Sequence, residues 1–213
     1  MSRTPTTSDG ESHIAPFFRE RNAIMVYELL KSMHSVPQRE YHNLSHVQQC
    51  LSALDALAPS GPPAEAIAAI WFHDCVYLPG SPHNETASAA IAQAYAPLLG
   101  FGTDTAETIA RSVMATRSHS PDETGIPALV VDADLSILGA HPDDYAAYAD
   151  AIRQEWSHVE SDAFHQGRLA FVRSMLAREH IFVTSVGQSL FEDSARTNLS
   201  TEVQRLEGLT HAR

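Results

Sequence analysis

The chain has 213 residues, 44% of them hydrophobic, which is enough for one domain with a sizeable core. Its formal net charge of −12 argues against a nucleic-acid polymer as partner, because such binders carry a basic stripe, but leaves room for a small anionic substrate. No apolar run approaches the about 18 residues of a membrane span, and Cys50 and Cys75 are too few for a disulfide framework, so a reduced, cytoplasmic setting with no membrane partner is expected.

Helical periodicity dominates, without a convincing alternation of period two. The polar opening "MSRTPTTSDGESH" reads as a disordered tail over 1–13, ahead of a helical domain over 14–207 and a flexible end at 208–213. Residues 16–34 set Phe17, Ile24, Leu29 and Leu30 among polar residues, as a first helix. Asn43 is a good N-cap for a second, whose stripe is Leu44, Val47, Leu51, Leu54 and Ala58, ended by "APSGPP". A very apolar third helix covers 64–77, and Asn84 caps a fourth through Ala87, Ile91 and Tyr95. A fifth covers about 104–117 and a sixth about 125–138, and a seventh starts with Pro142 in its first turn. Residues 161–179 and 188–206 complete an all-α domain of about eight or nine helices with short connections.

Twelve histidines stand against 14 Lys plus Arg, a rich supply of metal ligands. In the third helix, positions three or four apart share a face, so Asp74 falls on the stripe of Ile67, Ile70, Trp71 and Leu78, with His73 on the neighbouring face. A carboxylate on a core-facing stripe costs several kcal/mol unless it is paired or bound to a metal. A buried structural Asp–His pair remains open. In the sixth helix Asp134 shares a stripe with Ile126, Val130 and Ile137, while Asp132 faces elsewhere. That choice depends on the segment being a helix, because on a strand the two aspartates share a face. His46 lies in the first turn of the second helix, and His42 falls outside that helix if Asn43 is its cap. Two imidazoles and two carboxylates on three apolar helices suit one divalent ion, Mn, Fe, Co, Ni or Zn, with Mg also compatible.

The ordered set H…HD…D on a helical chain resembles the HD superfamily of metal-dependent phosphohydrolases. The closer resemblance is to a bacterial subgroup of short, single-domain, predicted HD phosphohydrolases. It is carried by "YHNLSH", "WFHDCVY" followed by "NETASA", "DADLSILG", "GR" at 167–168, "IFVT" at 181–184 and "EDSARTNLSTE", from about residue 15 to 205. The resemblance implies His46, His73, Asp74 and Asp134 as metal ligands. In the subgroup the residue before "NE" is often acidic, and here it is His83.

HD enzymes typically cleave phosphoester bonds of nucleotides and related compounds, so the expected reaction is metal-assisted hydrolysis of a small phosphorylated substrate, a nucleotide being the expected type. Asp74 is expected to bind the metal and orient the attacking water, and Glu85 to act as general acid or base, its alternative being a carboxylate favoured by a helix N-terminus. His119, in "TRSHS", is the second candidate for proton transfer, phosphate contact or a second metal. Arg117, Arg168 and Arg196 are the candidate phosphate-binding cations, with an ion pair to Glu192 or Glu202 as the alternative for Arg196. Tyr41 and Trp71 are assigned to packing, and Cys75 to a small buried position. The extra histidines His42, His83 and His119 leave open a di-iron oxygenase on the same fold, and a non-catalytic nucleotide- or metal-binding module is the remaining alternative. A homodimer is left open.

Overall fold

A computed structural model describes residues 21–120 and 122–211. The expected tail at 1–13, Phe17 and residues 212–213 lie outside the described residues. Among the described residues the chain is all-α, as its periodicity predicts. The described residues form nine α-helices: α1 (Arg21–His34), α2 (Leu44–Leu57), α3 (Ala64–Phe72), α4 (Asn84–Tyr95), α5 (Thr103–Ala115), α6 (Gly125–Leu135), α7 (Pro142–Glu155), α8 (Ser161–Leu176) and α9 (Ser185–His211). Two 3-10 turns, Ala96–Leu99 and Ser136–Gly139, extend α4 and α6.

Local chemistry sets several boundaries. The Asn43 side chain accepts the Ser45 amide at 2.9 Å and opens α2, whose Val47, Cys50, Leu51, Leu54 and Leu57 are buried at helical spacing. Pro142 begins α7, where a missing N–H costs nothing. α3 ends at Phe72, five residues before the expected boundary. The reason is competition for the backbone. Arg39 donates to the Asp74 and Cys75 carbonyls at 2.6 and 3.1 Å, and the Ser88 hydroxyl bridges the amide and carbonyl of Val76. Asn84 likewise does not cap α4. It is the first residue of that helix, and its amide group pairs with the N–H and C=O of Leu78, both at 3.0 Å, as a strand neighbour would. Leu78 therefore leaves the expected apolar stripe and is exposed. In α1 the buried face is Ala23, Val26, Leu30 and His34, while Ile24 and Leu29 point outward.

The apolar residues form two cores. The first joins α1–α5 through residues such as Leu30, Leu54, Ile70, Phe72 and Ile109. The second joins α7, α8 and α9 through Tyr148, Ile152, Val172, Ile181, Phe182 and Leu199. α6 belongs to both, since Val130 and Ala133 enter the first and Val131 and Leu135 the second. This is why its sequence is apolar almost all round, and it puts Asp134 at the seam.

The late motifs tie that seam down. Asp132 accepts the amides of Val183 and Thr184 at 2.6 and 2.8 Å, and Glu192 accepts those of Ile181 and Phe182 at 3.0 and 3.2 Å. Asn198 donates to the carbonyls of Leu138 and Ala140, both at 2.9 Å. Gly139 lets α9 approach this turn, because a Cβ there meets the Phe191 backbone oxygen at 2.7 Å.

Candidate metal centre

Four of the expected ligands converge at the seam. The Nε2 atoms of His46 and His73 face each other at 3.0 Å. Oδ2 of Asp74 lies 3.1 Å from His73 Nε2 and 3.6 Å from His46 Nε2. Oδ1 of Asp134 lies 3.3 Å from His46 Nε2 and 3.7 Å from His73 Nε2. Both histidines are 1% exposed. The early end of α3 makes this possible. Adjacent side chains on a helix diverge by about 100°. His73 is the C-cap and Asp74 is already in the turn, so the pair closes on one point.

Nδ1 of His73 lies 2.7 Å from the carbonyl of Ile70, which can only accept, so Nδ1 carries a proton and Nε2 is the atom turned to the cluster. Burial pulls the pKa of His73 down, but the facing Asp74 and Asp134 outweigh it and hold it well above the ordinary imidazole value. For His46 the same burial penalty is outweighed by the Cys50 sulfur and the Tyr41 oxygen, then by Asp134 and Asp74. Burial pushes the carboxyls of Asp74 and Asp134 up, and the surrounding imidazoles reverse that and hold both well below the usual carboxylate range. These are buried anions in search of positive charge, which protonated imidazoles or a metal ion can supply.

His46, Cys50, His73 and Asp134 offer donor atoms all within 4.8 Å of one another, so this buried group can hold a metal ion. Cys50 is a partner that the sequence reading missed, although it lies four residues after His46 on α2. Its sulfur stands 3.6 and 3.7 Å from the two ring nitrogens of His46, so it lies across the ring and not along the Nε2 lone pair. Asp74 Oδ2, within 3.6 Å of both Nε2 atoms, is a further donor beside that group. Two nitrogens and two carboxylates fit a first-row divalent ion.

A cavity of about 440 Å³ opens beside the cluster, with Asp134, His119, His42 and Tyr41 on its wall. His119 Nε2 is 2.9 Å from Asp134 Oδ2. Its backbone has φ of 46°, in the left-handed region that favours glycine, and Arg178 holds its carbonyl. His42 stands outside α2 and is gripped through Nδ1 by Glu155 Oε2 at 2.6 Å, with its ring stacked on Tyr77. Glu155 also accepts the amides of Tyr41 and His42, both at 2.9 Å. Burial pushes its carboxyl up, and the His42 contacts bring it below the usual value. The sequence reading missed Glu155, yet a carboxylate in the last turn of a helix opposes the macrodipole and so signals a local partner. Tyr41, assigned to packing, does pack on His46 and Tyr148, but its buried hydroxyl has no hydrogen-bond partner.

The remaining candidates stand elsewhere. Glu85 is half-buried in the first turn of α4, outside the cavity lining, and no hydrogen bond or ion pair among the described residues joins it to the cluster. Arg117 is exposed and does not line the cavity, and His83 is exposed at the start of α4. Arg196 donates to Glu192 at 2.8 Å and to the carbonyls of Leu176, Arg178 and Glu179, so it fastens the chain after α8 to α9. Arg168 does line the cavity, but it pairs with Glu202 at 3.0 Å. Cys50 and Cys75 are both free and buried. No helix among the described residues is long and apolar enough to cross a membrane. Comparisons with protein-family models, with curated proteins and with solved structures return no match for this chain.

Proposed function

We propose that this chain is a metal-dependent phosphohydrolase of the HD superfamily, acting on a small phosphorylated molecule. The observation that carries the reading is the pair of imidazole Nε2 atoms 3.0 Å apart, with one oxygen of each of two carboxylates within 3.7 Å, on the wall of a cavity. His46, His73, Asp74 and Asp134 would hold the ion. When bound there, a divalent ion lowers the pKa of water and offsets charge on phosphoryl oxygens.

In the reaction, water adds to phosphorus, the bond from phosphorus to the leaving oxygen breaks, and that oxygen takes a proton. His119 shares a hydrogen bond with Asp134 and lines the cavity, so it is the group placed to pass that proton. Glu155 fixes the His42 ring against Tyr77 beside it. Tyr41 lines the cavity and packs on His46, while its buried hydroxyl has no protein hydrogen-bond partner. The apolar walls keep bulk water from these bonds.

The test is turnover of phosphomonoesters and phosphodiesters by protein reconstituted separately with Mn, Fe, Co, Ni, Zn and Mg, alongside His73→Ala and Asp74→Ala. The expected result is release of phosphate or a phosphomonoester, lowered at least about a thousandfold in both variants, which is ~4 kcal/mol of transition-state stabilisation. A protein that binds metal but cleaves no phosphoester contradicts the reading. Two bound irons with oxygen uptake redirect it to oxidation.

A further inference from the structure

We infer that the cavity takes the phosphomonoester of an apolar, ring-bearing alcohol, and that Gly167 sets the width of its entrance. The inference rests on the phosphohydrolase reading above and names its substrate class.

Polarity in the cavity is lopsided. At the end beside the cluster stand His42, His119 and Asp134, with Tyr41 beside them. Beyond them the wall is mainly Leu138, Ile152, Trp156, Val159, Phe164 and Phe171, and its polar members are Tyr77, Tyr148 and Arg168, the last two bonded to each other at 3.0 Å. A small charged head therefore has most of its partners at the cluster end. Base edges, ribose hydroxyls or further phosphates have few beyond it, and a buried polar group without a partner is costly.

The cavity is also poor in positive charge. Arg168 is the only Lys or Arg that lines it among the described residues. Four of its five N–H donors are already engaged: two on Glu202 at 3.0 and 3.1 Å, one on Tyr148 at 3.0 Å and one on Tyr145 at 3.5 Å. Its charge is matched by Glu202, and its guanidinium lies over the rings of Tyr148 and Phe171. A di- or triphosphate finds no free cation here for its further charges. One phosphoryl group at the metal end is what the charge allows.

Gly167 supplies a second, independent observation. It sits inside α8, where glycine is a poor helix former, and a Cβ there would meet nothing within 4 Å. Neither backbone conformation nor packing calls for glycine. It lines the cavity and is exposed, as is Ala163 one turn earlier, so this stretch of α8 forms the rim. A bare rim admits a wide, flat body.

Two measurements on the Mn-loaded full chain test the inference: calorimetric binding of 1-naphthol, the product alcohol, and turnover of 1-naphthyl phosphate against adenosine mono-, di- and triphosphate. Gly167→Leu is measured beside the wild type, with its thermal midpoint and metal content expected to equal or exceed the wild type's. The expected result is binding of 1-naphthol, weakened at least tenfold by Gly167→Leu, and a kcat/KM for the naphthyl ester at least tenfold above that of any of the three nucleotides. Naphthol binding that Gly167→Leu weakens, with no phosphoester cleaved, upholds the apolar cavity and sinks the phosphohydrolase reading. Preferred cleavage of a nucleotide overturns the substrate class while the phosphohydrolase reading stands. No naphthol binding, or binding that ignores Gly167→Leu in a folded protein, overturns the inference.

Discussion

Two buried polar clusters border the same cavity, and they are built on opposite terms. At one end an oxygen of each of Asp74 and Asp134 lies within 3.7 Å of the Nε2 atoms of both His46 and His73, with no Lys or Arg ion pair to either carboxylate among the described residues. At the other, Arg168 and Glu202 neutralise each other with side chains 7% and 3% exposed, and the hydroxyls of Tyr145 and Tyr148 complete their bonding. The second cluster pairs fixed charges, with Arg205 also 3.7 Å from Glu202. The first sets two carboxylates against titratable imidazoles alone. Burial is common to both, and what distinguishes the first is donor atoms that converge on one point and can exchange protons for a metal ion.

The sharpest way to break this contrast is at the first cluster. Asp134→Asn removes one of the two anionic charges with little change of shape, and we expect metal affinity to fall at least about a hundredfold, ~2.7 kcal/mol, with turnover lost alongside. Titration calorimetry with Mn against wild type and variant reads this directly. Unchanged affinity would mean that Asp134 serves only to hold His119.

At the other end, Arg168→Met leaves Glu202 with only Tyr145 and the exposed Arg205 and should destabilise the fold by about 3 kcal/mol, while the Arg168→Met/Glu202→Leu double variant recovers most of that. Urea unfolding with metal content measured in parallel checks both. Loss of metal from either variant would show that the two ends are not separate.

His34 sharpens the comparison within the first core. Its Nε2 donates to the Trp71 carbonyl at 3.0 Å, but no carboxylate contacts it, and burial lowers its pKa from 6.5 to about 4. The folded state then refuses a proton that the unfolded chain accepts. Stability present above pH 6.5 is lost as pH falls toward 4, by about 3 kcal/mol in all. His34→Gln, which keeps a donor, should flatten that part of the stability–pH curve measured by urea midpoints. A curve unchanged by the variant would assign the dependence to other groups.

The smallest expected effect is at His119. Gly and Ala both remove the imidazole, but only glycine suits a φ of 46°. His119→Gly should be more stable than His119→Ala by about 1 kcal/mol, with both depressed in turnover. Equal thermal midpoints would argue against the left-handed backbone.

Much of this was legible in the sequence. Helical spacing separates Asp134, which joins the cluster, from Asp132, which caps the chain after α8, and Asn43 marks the start of α2. The end of α3 was not legible, because Arg39, Ser88 and Asn84 hold the backbone after it from 6 to 36 residues away along the chain, which local periodicity does not describe. For the same reason Asp74 reaches the cluster from a turn and not from the face of a helix. Cys50 was visible only as the fourth residue after His46. Glu155 and the Tyr41 hydroxyl gain their meaning from partners, or the lack of one, across the fold.

On the proposed reading, the cluster at the seam of the two cores holds one divalent ion. Elemental analysis of protein reconstituted with Mn, and separately with Fe and Zn, then dialysed, tests it most directly, with His73→Ala as the depleted variant and His34→Gln as the retained one. About one ion per chain is expected in the wild type and in His34→Gln, and close to none in folded His73→Ala. No retained metal in the wild type, or equal metal in His73→Ala, would contradict it and leave His73 and Asp74 as a buried structural pair.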